Sequence, residues 1–184
     1  IVLGPENGLG TLLFNTGAGE FVAGQPIPSG MSWGVVLTDM DRDGDRDILA
    51  IPTHYSLRVV RNHGNATFEV GDSHDPRISS ITDVAAADLD GDGWPDAVVA
   101  AQSTEISWNN GSGSFKYALP PAGRDGEGSA VVASDFDRDG DADIAVAHSD
   151  SDLVAIWWND GDGTFPPSLQ TYASAHSLVK LDFE

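Results

Sequence analysis

One acidic nonapeptide is written three times in 184 residues: DMDRDGDRD at Asp39–Asp47, DLDGDGWPD at Asp88–Asp96 and DFDRDGDAD at Asp135–Asp143. Each copy sets carboxylates at loop positions 1, 3, 5 and 9 and glycine at position 6, a spacing that wraps oxygen ligands around a hard cation. Four carboxylates about 5 Å apart repel by roughly 3 kcal/mol per pair at an effective dielectric near 20, so six pairs cost on the order of 10–20 kcal/mol. A divalent ion removes that repulsion. There is no cysteine, and none of the five histidines (His54, His63, His74, His148, His176) falls inside an acidic loop. Zinc and copper therefore find no soft or imidazole ligand, and oxygen donors alone favour calcium over magnesium or manganese. An EF-hand needs glutamate at position 12, where this chain has Ala50, Val99 and Val146, which rejects that loop class.

The flanks of the loops are short apolar runs, VVLT, VAAA and VVAS before and ILAI, AVVA and IAVA after, so each loop is expected to join two buried strands. First aspartates at 39, 88 and 135 are 49 and 47 residues apart, and Asp182 follows 47 later. A second landmark keeps that beat: Asn15, Asn62, Asn109 and Asn159 open NTGAGEF, NHGNATF, NNGSGSF and NDGDGTF. Glycine and asparagine tolerate positive φ, so these read as hairpin turns, with Phe21, Phe68, Phe115 and Phe165 starting the next strand and packing in the core. Every unit reads as four strands, in the second complete unit roughly 83–88, 96–101, 104–109 and 114–119, and no stretch shows a helical period. Four short strands in a period of about 47 residues predict an all-β chain of β-propeller blades, four antiparallel strands each, with the acidic loop between first and second strands. The repeats fall at about 1–31 (partial), 32–80, 81–127, 128–174 and 175–184, the start of another.

The DxDxDGxxD loop followed by a glycine-rich turn ending in Phe resembles the FG-GAP and VCBS-type repeats of integrin α-subunit propellers and of many secreted proteins. The resemblance covers nearly the whole chain. It implies three calcium sites, held by the side chains of Asp39, Asp41, Asp43 and Asp47, of Asp88, Asp90, Asp92 and Asp96, and of Asp135, Asp137, Asp139 and Asp143. Position 7 would add a backbone carbonyl, from Asp45, Trp94 and Asp141. Asp182 and Glu184 match only the first two ligands of a fourth, partial site.

The formal charge of −20 argues against nucleic acid and anionic membranes, which bind basic patches. Three divalent ions would leave −14, still acidic. No apolar run approaches the roughly 20 residues of a membrane span. Loops of this kind fill where calcium is near millimolar, so an extracellular, secreted or cell-surface setting is expected. The sequons at Asn65 and Asn110 occupy turns and offer glycosylation sites, although composition alone generates about one sequon by chance.

Other residues carry competing readings. Phe14, Arg61, Trp108 and Trp158 share the position before the turn asparagine, and rings there suit packing between blades or stacking on sugar faces. Trp33 and Trp94 are expected to cover loop backbone, and His54 and His148 to be satisfied polar groups. Glu6, Glu20, Glu69, Glu105 and Glu127 have no partner at repeat-equivalent positions, and Glu105→Ala is expected to be nearly silent. No GxSxG, HExxH, P-loop or dinucleotide motif occurs, so a non-enzymatic module is expected, binding a protein or glycan or serving structure and adhesion. The alternative is a propeller lectin or the scaffold domain of a polysaccharide-active enzyme. The repeat register also places half a loop unit at each end. Residues 177–184 are therefore expected to pair, near Leu178–Leu181, with a strand equivalent to Ile1–Gly4, by ring closure, by further blades of a longer chain, or by further copies head to tail.

Overall fold

The computed structural model describes residues 2–6, 9–27, 34–65, 67–76, 79–112, 114–117, 126–165 and 170–173. Among the described residues fifteen strands form four antiparallel sheets and no helix occurs, hence none there long and apolar enough to cross a membrane. The first sheet holds β1 (Val2–Glu6), β2 (Leu9–Asn15) and β3 (Phe21–Ile27). The second holds β4 (Val35–Thr38), β5 (Asp47–Thr53), β6 (Ser56–Asn62) and β7 (Phe68–His74). The third holds β8 (Asp83–Ala87), β9 (Asp96–Ala100), β10 (Glu105–Asn109) and β11 (Phe115–Tyr117), and the fourth β12 (Gly128–Ser134), β13 (Asp143–His148), β14 (Leu153–Trp157) and β15 (Gln170–Ala173). Within each sheet neighbours in sequence are neighbours in space. The acidic loops join β4 to β5, β8 to β9 and β12 to β13, between first and second strands as the sequence predicts.

The apolar runs after the loops are continuous rather than alternating because both faces of the second strand are buried. In β5, Ile48 and Ala50 pack toward Leu12 of the first sheet, while Leu49 and Ile51 pack toward Val84, Ala97 and Val99 of the third. In β9, Ala97 and Val99 face the second sheet, and Val98 and Ala100 face Val131, Ile144, Val146 and Trp157 of the fourth. The sheets thus stack face to face in chain order. First strands lie side by side, β8 touching both β4 and β12. A Cβ on Gly128 would come within 3.0 Å of both Ala100 and Val146, so glycine sets the approach of β12 to the third sheet.

The closing phenylalanines follow the stacking. Phe68, Phe115 and Phe165 are partly buried against the first–second, second–third and third–fourth interfaces. Phe21 departs from the expected core position and is 44% exposed. It belongs to the first sheet, and no described sheet precedes it. The expected pairing of residues 177–184 lies outside the described residues, as do Trp33, the sequon residue Ala66, and the partial site at Asp182 and Glu184.

Candidate metal centres

Each acidic loop folds around its own carboxylates. Asp39, the first residue of its loop, accepts hydrogen bonds from the N–H groups of Asp43 (3.1 Å) and Gly44 (3.0 Å). Asp88 accepts from Gly91 and Gly93 (both 2.9 Å), and Asp135 from Arg138 (2.6 Å) and Gly140 (3.1 Å). Position 3 accepts from the amide of position 5, and position 5 from that of position 7, as in Asp92 with Trp94 N–H at 2.8 Å. The chain winds tightly enough to need left-handed residues at two places. Position 6 has φ of 97°, 89° and 107° at Gly44, Gly93 and Gly140. Position 4 is left-handed too, as Gly91 in the second loop but as Arg42 (56°) and Arg138 (69°) in the others, a requirement the motif itself does not display.

Ligand-capable oxygens converge within 4.8 Å in Asp39, Asp41 and Asp43, in Asp88, Asp90 and Asp96, and in Asp135, Asp137 and Asp143. These oxygen-only clusters could hold a hard divalent ion and fit the calcium chemistry of the donor set. Asp47, Asp92 and Asp139 fall outside these three tight sets.

Position 9 differs from the rest. Asp47, Asp96 and Asp143 are completely buried at the start of the second strand. One oxygen of each accepts from the amide of position 2, Met40 (2.8 Å), Leu89 (3.0 Å) or Phe136 (2.9 Å). The other accepts from the turn asparagine, Asn62 (2.7 Å), Asn109 (2.8 Å) or Asn159 (2.9 Å). Burial pushes the Asp96 carboxyl up to about 7, helped by the charges of Asp90 and Asp92 and opposed by its two N–H donors. Burial likewise raises Asp47 and Asp143, and also Asp90 at the mouth of its loop.

The asparagines, which the sequence shows only as turn markers, also bond to the acidic loops. Each side-chain oxygen accepts from the glycine two residues on, as Asn109 does from Gly111 at 3.0 Å. Each amide nitrogen among Asn62, Asn109 and Asn159 donates to the carbonyl of position 8: Arg46, Pro95 or Ala142. The side chains at position 7, Asp45, Trp94 and Asp141, all lie against the turn glycines Gly64, Gly111 and Gly161. Trp94 therefore covers the turn rather than the acidic loop, and takes the Arg42 guanidinium of the preceding loop 5.3 Å from its ring centre.

The remaining sequence expectations divide. His54 is satisfied through Ile81 O (3.1 Å). His148 is buried edge-on to Trp157. Trp108 packs beside the turn residue Gly163. Glu105 is not a silent surface group: it is 1% exposed at the start of β10. Glu69 meets His63 at 2.9 Å, a contact without a repeat-equivalent, since Asn110 and Asp160 stand where His63 does. Asn65 and Asn110 are both exposed. Between the second and third sheets runs a groove of about 270 Å³ lined by Arg61, Glu69, Asp72, Ser73, His74 and Phe115 among others. His74 and Phe115 rings stand 5.3 Å apart there, burial depresses the His74 pKa, and Arg61 donates to Ser112 O across the groove.

The FG-GAP-like repeat profile matches residues 39–99, 97–146 and 135–183. The chain belongs to the FG-GAP-like repeat family. No curated protein matches it at a significant level. Among solved structures it is similar to an Agrocybe aegerita lectin whose structure concerns specific recognition of non-reducing terminal N-acetylglucosamine. The TM-score is 0.57 at 21% identity, over 90% of this chain and 49% of that one. The chain thus spans about half the length of that lectin, and the likeness is one of fold.

Proposed function

We propose that this chain is a calcium-stabilised β-propeller or part of one, an extracellular module without catalytic activity that presents its surface to a glycan or protein ligand. The observation that carries the reading is the recurrence, in three successive sheets, of one oxygen-lined loop at one topological place, between first and second strands. Side-by-side first strands and face-to-face sheets support the propeller arrangement, with repeat boundaries near residues 31, 80, 127 and 174. Further blades or further copies would complete it. Bound Ca²⁺ would neutralise the carboxylates of Asp39–Asp47, Asp88–Asp96 and Asp135–Asp143 and fix each first strand to its second. Glycosylation at Asn65 and Asn110 belongs to the same extracellular reading.

The lectin neighbour favours a glycan as ligand, and the groove holding Arg61, Glu69, Asp72 and Phe115 suits one sugar ring, offering charged hydrogen-bonding groups beside an aromatic face. A glycan array that includes structures ending in N-acetylglucosamine, run with calcium and with chelator, tests this. Calcium-dependent binding lost in Arg61→Ala and Phe115→Ala is expected. Binding to no glycan shifts the reading to a protein ligand, and turnover of acidic polysaccharides would replace it with an enzyme.

A further inference from the structure

The three acidic loops are joined by one continuous line of hydrogen bonds. Asn109, in the turn of the third sheet, donates through its side-chain nitrogen to Pro95 O (3.0 Å) in its own loop and to Met40 O (2.8 Å) in the loop of the second sheet. Asn159, in the fourth sheet, does the same to Ala142 O and to Leu89 O in the third (both 2.9 Å). Met40 and Leu89 occupy position 2 of their loops, between the ligand aspartates at positions 1 and 3. Their N–H groups are held by Asp47 and Asp96. The peptide units that aim carboxylates 1 and 3 are therefore gripped from one side by their own position 9 aspartate and from the other by the next sheet's asparagine. That asparagine is fixed in turn, because its backbone N–H donates to the position 9 aspartate of its own loop. The line runs Asp47, Met40, Asn109, Asp96, Leu89, Asn159, Asp143. Both asparagines are 3% exposed, so water does not compete for these bonds. Where no described sheet follows, at the third loop, the position 2 residue Phe136 is 42% exposed.

We propose that Asn109 and Asn159 are positioning residues that couple the three loops, so that a divalent ion bound at one raises the affinity of its neighbours. The proposal rests on the calcium reading of the loops. Ordering one loop fixes its asparagine, which orders position 2 of the preceding loop before that loop has bound an ion, and linkage makes the effect equal in both directions. Asn62 has no described loop ahead of it and bonds Arg46 O in its own sheet, which makes it the internal control.

Calcium calorimetry on loop-disabled proteins tests this. Loops are switched off by paired exchanges at ligand positions 3 and 5, Asp41→Asn with Asp43→Asn for the first loop and Asp137→Asn with Asp139→Asn for the third. A protein keeping loops one and two should bind with a Hill coefficient above 1, and its second loop should bind about tenfold more tightly than in a protein keeping loop two alone, within the usual range of allosteric couplings. Asn109→Ala should abolish that difference while leaving the coupling of loops two and three intact. Asn62→Ala should destabilise without altering any coupling. Should Asn109→Ala fail to fold, the single-loop and two-loop proteins, which retain Asn109, decide alone: equal affinities overturn the proposal. A tenfold difference that persists in folded Asn109→Ala also overturns it. Binding at independent sites sinks the coupling and leaves the calcium reading standing, whereas no calcium binding by the unaltered chain sinks both.

Discussion

Within each acidic loop the mouth and the floor are built from the same residue and behave oppositely. Asp41, Asp90 and Asp137 at position 3, with the aspartates at positions 1 and 5, open toward solvent and hold only their own loop's backbone. Asp47, Asp96 and Asp143 at position 9 are shut off from water and hold two separate stretches of chain, the loop's second residue and the turn two strands away. On the calcium reading the mouth is therefore a ligand set whose stabilising effect requires an ion. The floor is a tertiary joint that holds without one, although Asp96 and Asp143 also turn an oxygen into the cluster of their own loop. Counting aspartates in the motif treats all four as equivalent, and the structure separates them by burial and by whom they bond.

Calcium removal is the largest expected perturbation, and it acts through the mouth. An ion binding only the folded state at 100 times its Kd adds about 2.7 kcal/mol per site, so three sites would add about 8 kcal/mol. At roughly 2–4 °C per kcal/mol for a chain of this size, chelation should lower Tm by on the order of 20 °C, with magnesium restoring less than calcium. Scanning calorimetry in 5 mM calcium and in chelator reads this directly. An unchanged Tm would remove the ion from the account and leave the floor as the only role of the motif.

Asp96→Ala comes next, because it strips acceptors from two buried donors, Leu89 N–H and Asn109 N–H. Each orphaned buried donor costs about 1–3 kcal/mol, partly offset by removing a buried carboxyl, for a net loss of about 3 kcal/mol. The loss should already appear in chelator and be larger in calcium, where the exchange also removes Asp96 from the oxygen cluster of its loop. Asp90→Ala should instead cost stability in calcium and nearly nothing in chelator, where it relieves repulsion. Denaturant unfolding of both variants in both conditions checks the contrast, and equal losses in chelator would erase the distinction between mouth and floor.

Acid sharpens the same contrast. Burial raises the folded-state pKa of Asp47, Asp96 and Asp143 above the ordinary 3.8, Asp96 to about 7. A group raised on folding stabilises fully below its unfolded pKa and loses that contribution as pH climbs through its folded value. The chelated protein should therefore melt at a higher temperature at pH 5 than at pH 8, losing stability mainly between about 4 and 7. Asp96→Asn should flatten much of that slope. With calcium the trend should reverse, since ion binding requires the deprotonated carboxylates.

Much of this was legible in the sequence because Asp, Gly and Asn were there for local backbone reasons. The acidic loops, the four strands near 83–88, 96–101, 104–109 and 114–119, and the Asn-x-Gly turns are all decided within a few residues, and continuous runs such as AVVA already mark β9 as a buried strand. What stayed hidden depends on how sheets stack. The burial of Glu105, the exposure of Phe21, and the reach of Asn109 to Met40, 69 residues away, are set by neighbouring sheets. One signal was present. A turn that asked only for a side-chain acceptor would admit Asp or Ser, and four recurrences of Asn marked a place where an amide donor is also needed.

The smallest expected effects lie at the mouth, where position 4 takes the left-handed conformation whatever residue occupies it. Arg138 does so at φ 69° with its side chain exposed, whereas the second loop supplies Gly91. A left-handed conformation costs a non-glycine residue about 1 kcal/mol, and glycine returns part of that through the freedom it adds to the unfolded chain. Arg138→Gly should therefore stabilise the chelated protein by about 0.5 kcal/mol. Arg42→Gly relieves the same strain at φ 56° but also removes the guanidinium stacked 5.3 Å from the Trp94 ring centre. That contact is worth about 0.5–1 kcal/mol at an exposed site, so the second exchange should come out near zero. Paired urea titrations resolve a difference of this size. If Arg138→Gly instead lost more than about 1 kcal/mol, the mouth would be holding the fold together through its side chains as the floor does, and the division between them would fail.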